Sequence, residues 1–216
     1  MRVASAIVRG GAAAAVLSVL GTLAGACGGS SGRVAYVASA PAAGTPGTHR
    51  VVGTAPAAVF GMPSVVVLQP QVAREFPAPG GRPLMDQATQ TFVPAVLFVR
   101  TGLPTDFRNS DDVLHNVRVR NSDTREGTFN VAIPTGQIYT HTFDRDGFYD
   151  VGCDIHPAMT AQVIATSTPY AILADRDGNF AFEDVEPGAY TVLIYSGTEK
   201  AEKTIDVAGP VTTVGE

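Results

Sequence analysis

The chain is poor in the residues that announce most specialised folds. It has no tryptophan, two cysteines and four histidines in 216 residues, and 16% of its residues are charged. Two cysteines permit one disulfide at most, so a densely bridged scaffold is excluded. Fifteen lysines and arginines stand against 20 acids, a net charge of −5, which argues against nucleic acid as a partner. No stretch carries a convincing 3.6-residue apolar period, so a helical bundle is not expected. What is present is 45% hydrophobic sequence, enough for a packed core, punctuated by 23 glycines and 15 prolines.

The first 27 residues differ from the rest. Arg2 and Arg9 flank the start, an apolar Ala/Val/Leu/Gly run reaches Ala26, and small residues precede Cys27. This reads as a secretory signal, too short and too glycine-rich for a spanning helix. Its end, LAGAC, resembles the lipobox of bacterial lipoproteins, with Ala24 where an aliphatic residue usually stands. The resemblance implies lipidation of Cys27 and a protein exported to the periplasm or outer cell surface and anchored to a membrane. Removing the signal takes two of the 15 basic residues, leaving 13 against 20 acids and a charge of −7. A disulfide between Cys27 and Cys153 is the competing use of the thiols. It is disfavoured because Cys27 sits at the signal boundary before the tether GGSSG, leaving Cys153 as a lone thiol that metal ligation would explain.

From Gly28 to about His49 the composition is Gly, Ser, Ala, Pro and Thr, a flexible linker. Beyond it, short β-branched and aromatic runs such as VVVLQPQ, LHNVRVR, GFYDVGC, TAQVIAT and GAYTVLIYSG alternate with Gly, Pro, Asn and Asp clusters. The expectation is an all-β protein. Near the end, Phe180 and Phe182 alternate after the Asp177–Gly178 turn, and Tyr190, Val192 and Ile194 alternate across the next run, a hairpin-rich module. Asp175, Asp177, Asn179 and Glu186 mimic the spacing of a calcium loop. Gly178 falls at the fourth place instead of the sixth, so a plain turn is preferred.

The chemistry is concentrated in GCDIHPAMTAQV, which places Cys153, His156 and Met159 within seven residues. Two imidazoles, a thiolate and a weak axial thioether form the blue-copper donor set, and DDVLHNVRV offers His115 as the missing imidazole. Strand alternation puts His115 on one face with Val117 and Val119, and Cys153 with Tyr149 and Val151. Both therefore point inward. Singly, an inward histidine is ordinary core, a methionine is filler and a buried thiol is inert; together and in this spacing they read as one site. His49 and His141 match no ligand position, and Asp111–Asp112 reads as a solvated turn.

Residues from about Thr91 to Thr166 resemble a cupredoxin, the family of plastocyanin, amicyanin and azurin. Phe92, Pro94, Val99, Gly102, Phe107 and Asn109 follow the plastocyanin-type opening, His115–Asn116–Val117 its H-N-(V/I), and Cys153, His156 and Met159 its C-x2-H-x2-M loop. The spacing and the following Pro157 are closest to the short loop of amicyanin. The resemblance implies a Greek-key β-sandwich and one copper ion on His115, Cys153, His156 and Met159. It also implies that Asn116 steadies the ligand loop near Asp154. Gly152 departs from the hydrophobic residue usual before the cysteine. The end of the chain resembles a carboxypeptidase-regulatory-like, or transthyretin-like, β module through Asp177, Gly178, Phe180, Pro187, Gly188, Tyr190 and Val192.

The expected organisation is a signal over 1–27, a linker over 28–49, opening strands over 50–75, a copper domain over 76–168, a β module over 169–209 and a tail over 210–216. The opening strands belong either to the C-terminal module, making the copper domain an insertion, or to the copper domain itself. Met159 favours copper over zinc, because a thioether is a poor fourth ligand for a borderline ion. Four protein ligands leave little room for a substrate, and an enzyme acting at this ion would need an open position that the sequence does not show. The expected function is therefore one-electron transfer between partner proteins and not catalysis, with a redox module of an enzyme complex as the alternative to a free carrier. A store or carrier of copper without redox turnover, and a surface lipoprotein with a vestigial site, are the alternatives.

Overall fold

A computed structural model describes residues 49–58 and 61–215. The expected signal, Cys27 and the linker up to residue 48 lie outside the described residues. The described chain contains no helix. Its strands are β1 (Arg50–Thr54), β2 (Val65–Pro70), β3 (Leu84–Ala88), β4 (Thr91–Val93), β5 (Val96–Arg100), β6 (Pro104–Asn109), β7 (His115–Asn121) and β8 (Gly127–Ile133), followed by β9 (Ile138–Thr142), β10 (Gly147–Gly152), β11 (Thr160–Thr166), β12 (Ala171–Leu173), β13 (Asn179–Phe182), β14 (Gly188–Ser196), β15 (Glu199–Val207) and β16 (Val211–Val214).

They form four sheets that make two sandwiches. A five-stranded sheet, β5-β11-β10-β7-β8, faces a four-stranded one, β4-β3-β6-β9, across a core that includes Met85, Phe92, Phe107, Val117, Ile133, Phe143 and Cys153. The second sandwich pairs β12-β2-β14-β15 with β13-β1-β16 around Val51, Leu68, Phe182, Tyr190 and Val192. Residues 50–70 are thus hydrogen-bonded to the end of the chain: β2 lies antiparallel to β12 and β14, and β1 between β13 and β16. Between Pro70 and Ala171 the chain builds the first sandwich and returns. Residues 210–216, expected as a tail, instead contribute β16, which runs parallel to β1. The run VTTV is β-branched enough to extend the sheet, and Val214 is buried in its core.

The two sandwiches share a third apolar layer. Along β2, Val66 and Leu68 point into the second core while Val65 and Val67 point the other way. Along β5, Leu97 and Val99 enter the first core while Val96 and Phe98 turn outward to meet Val65 and Val67, with Ile164 and Ala171. This explains the unbroken apolar runs VVVL and VLFV: strands covered on both faces need no polar side. The crossing segment between β2 and β3 is tied down as well. Arg74 donates to Glu186 at 3.2 Å and to the Tyr190 hydroxyl at 3.3 Å, and Phe76 meets the Tyr170 ring edge-on at 5.5 Å. Gly188 makes room for this: at φ +141° a Cβ there would come within 2.6 Å of Arg74 Nη2.

Asp175 closes the turn before β13. Its Oδ1 accepts from the backbone N–H of Asp177 at 2.9 Å and of Asn179 at 2.7 Å, while Glu186 is engaged with Arg74. The donors, led by the Asn179 side chain, hold the Asp175 carboxyl below its usual range. The calcium-like spacing is therefore spent on turn hydrogen bonds.

Candidate metal centre

His115 opens β7 and Cys153 follows the last residue of β10, its antiparallel neighbour. Inward alternation along both strands carries the two side chains to one end of the first sandwich, where both are buried. After Cys153 the chain turns tightly. Met159 N–H donates to the His156 carbonyl at 2.9 Å, and Cys153 N–H to the Met159 carbonyl at 3.3 Å. This turn folds His156 back toward the strands, leaves Pro157 exposed at its tip and buries the Met159 side chain in the core that holds Cys153.

The donor atoms converge. Cys153 Sγ lies 3.9 Å from His115 Nδ1 and 3.9 Å from His156 Nδ1, and the two nitrogens are 2.9 Å apart. Metal–donor bonds of about 2.0–2.3 Å allow two donors of one ion to stand up to about 4.4 Å apart, so all three distances fit a single ion. Among the described residues this is the group of His, Cys, Asp and Glu side chains able to hold a metal.

The proton on His115 is fixed from behind. Its Nε2 is 2.8 Å from Asp111 Oδ2. A carboxylate can only accept, so Nε2 carries the hydrogen and Nδ1 presents its lone pair to the site. Asp111 is itself held by the backbone N–H groups of Thr89 at 2.5 Å and Gln90 at 2.8 Å. Burial works against its charge, but the donors Gln90, His115 and Thr89 outweigh it and keep the carboxyl below its usual range. Asn109, fully buried, shapes the approach: its amide donates to the carbonyls of Val113 and Ile133 at 2.8 Å each and accepts from Asp111 N–H at 2.9 Å.

Asp111 was missed by sequence reasoning, which took Asp111–Asp112 for a solvated turn. A four-residue offset carries no facing signal outside a helix.

Asn116 points to the opposite side of β7 and braces the loop. Its Oδ1 accepts from Asp154 N–H at 2.6 Å and lies 3.2 Å from Cys153 Sγ; its Nδ2 donates to Asp154 Oδ2 at 3.2 Å. His49 and His141 lie elsewhere. His49 bonds to the Gly209 carbonyl at 2.7 Å, and His141 sits among Phe129, Tyr139 and Phe143, where burial lowers its pKa.

No protein-family model matches the chain, and no curated protein sequence does. Solved structures similar to part of it include a purple cupredoxin from Nitrosopumilus maritimus, at 21% identity, covering 39% of this chain and 99% of that one with a TM-score of 0.35. Amicyanin from Paracoccus versutus matches at 21% identity, covering 41% and 85%, with a TM-score of 0.37. A reduced amicyanin variant matches at 24%, covering 46% and 91%, also at 0.37. At these scores the likeness decides nothing by itself, and the site stands on its own geometry.

Proposed function

We propose that this protein is an exported type 1 copper protein that carries single electrons between partner proteins. The observation that carries the reading is the convergence of His115 Nδ1, Cys153 Sγ and His156 Nδ1 at spacings that fit one ion. His115, Cys153 and His156 would hold copper with Met159 as the weak fourth donor, and the bound ion would supply a Cu(II)/Cu(I) couple. The chain's own part is to keep the donors in place. His115 is locked by Asp111, and the loop is locked by Asn116 and by its own turn, so little has to move when charge changes.

The half-buried His156 ring gives the site an edge near the surface. Ile155, next to His156 in sequence, and Leu114, next to His115, are 47% and 49% exposed, apolar side chains on which a redox partner can dock without stripping charged groups of water. Loading requires the Cys153 thiol to lose its proton, so copper uptake releases acid.

The N-terminal signal and the lipobox-like Cys27 support a lipid anchor in the periplasm or at the outer surface. Among the described residues no helix is long and apolar enough to cross a membrane. We read the second sandwich, including β1 and β2, as the carboxypeptidase-regulatory-like module into which the copper domain is inserted.

The test is metal analysis with a visible spectrum of the Cu(II)-loaded chain. An intense charge-transfer band is expected, and Cys153→Ser should abolish it. A colourless wild type, or a band that survives Cys153→Ser, refutes the proposal. A reversible couple with fast self-exchange separates an electron carrier from a copper store.

A further inference from the structure

Gly152, which departs from the hydrophobic residue expected before the ligand cysteine, has a partner. It lies directly across from Arg118 in the β10–β7 ladder, and a Cβ on it would sit 3.1 Å from Arg118 Nη2. With no side chain at Gly152, the guanidinium lies over the strand and its Nη1 donates to Asp154 Oδ1. The other oxygen of Asp154 collects two amides, Asn116 Nδ2 at 3.2 Å and Asn130 Nδ2 at 2.9 Å, and Asn116 Nδ2 also donates to Asn130 Oδ1 at 2.7 Å.

This cluster determines which way the Asn116 amide faces. An amide can be turned end for end, but a carboxylate accepts only, so Asp154 requires the NH2 end and the oxygen is left for the loop. That oxygen receives the N–H groups of Asp154 and Ile155, at 2.6 and 3.4 Å, beside Cys153 Sγ. We propose that Arg118 is a positioning residue of the metal centre: admitted by the bare backbone of Gly152, it holds the Asp154 carboxylate, and through it the Asn116 amide that fastens the ligand loop. The role rests on the copper-site reading for its function, though not for its geometry.

The ion pair is partly exposed, with side-chain accessibilities of 37% for Arg118 and 41% for Asp154. A pair of that kind adds little to global stability. Its removal should therefore register at the loop and hardly at all in the melting temperature.

The experiment compares Arg118→Gln, Arg118→Lys and Gly152→Val with wild type in the full chain. Two readouts are taken: amide exchange of Asp154 in metal-free protein, referenced to Val151, and the copper dissociation rate with the position of the visible band. Arg118→Gln should speed Asp154 exchange and copper loss by about tenfold each and shift the band. Gly152→Val should do the same by displacing the guanidinium, and Arg118→Lys should recover part of the effect. Asp154 exchange in Arg118→Gln within about twofold of wild type overturns the proposal. If wild type shows no copper band, the copper reading fails while the exchange measurement still judges Arg118.

Discussion

Replacing Asp111 by alanine tests how the site chooses its proton. In the native chain the Asp111 carboxylate holds hydrogen on His115 Nε2 and so leaves Nδ1 free for metal. Alanine removes three acceptor contacts at once, but they are not equal. The N–H groups of Thr89 and Gln90 lie on an exposed turn and can bond to water, whereas the His115 side chain is 0% exposed. Only the imidazole is left with a buried donor unpaired, which costs about 1–3 kcal/mol of stability in the metal-free chain.

At the site the loss is different in kind. The ring is free to shift its proton to Nδ1, where it competes with the ion, and partners of this type change metal affinity by roughly 10–100-fold, or about 1.4–2.7 kcal/mol. Asp111→Asn should fall between, since its one oxygen can still face His115 and the Gln90 N–H, but only by setting the amide NH2 against the Thr89 N–H, a donor against a donor. Thr89→Gly is the control. It relieves a positive φ of 54° and keeps the N–H that Asp111 uses, so affinity should not change. The assay is copper titration against a competing chelator, with chemical denaturation of the metal-free variants alongside. Copper affinity of Asp111→Ala within about twofold of wild type would show that the carboxylate does not govern the ring.

Met159→Leu should keep the visible band and raise the reduction potential, because losing a soft axial donor in an apolar surround disfavours Cu(II); a lowered potential by voltammetry contradicts axial ligation. Phe98→Ala removes a ring from the layer between the sandwiches and should cost about 3–5 kcal/mol; because both sandwiches use that layer, far-ultraviolet circular dichroism and the copper band should be lost in one transition. Stability should fall on acidification in two stages. His141 has a lowered pKa, so its neutral form is favoured by folding and its contribution is lost as pH drops through and below the ordinary histidine value. Asp175, also lowered, loses its contribution below the ordinary carboxylate range. His141→Phe should remove the upper stage from denaturation midpoints measured across pH, and an unchanged profile would refute the assignment.

The local features of this protein were legible in its sequence. Alternation with period two put His115, Val117 and Val119 on one face, and a seven-residue loop can bring Cys153, His156 and Met159 together only by turning back on itself. Such features depend on neighbours a few residues apart, which the chain's own geometry constrains. The features that escaped depend on register between distant strands. Asp111 touches Thr89 and Gln90 because β3 and β6 run side by side, and Arg118 meets Gly152 because β7 and β10 pair in one register and not the next. The run VVVL read as a strand, assigned to either the C-terminal module or the copper domain; its polar-free sides suit either core. Only the pairing of β2 with β12 and β14, and the layer where Val65 and Val67 meet Val96 and Phe98, decides that, because hydrophobic burial is non-directional and leaves the choice of partner to the fold as a whole.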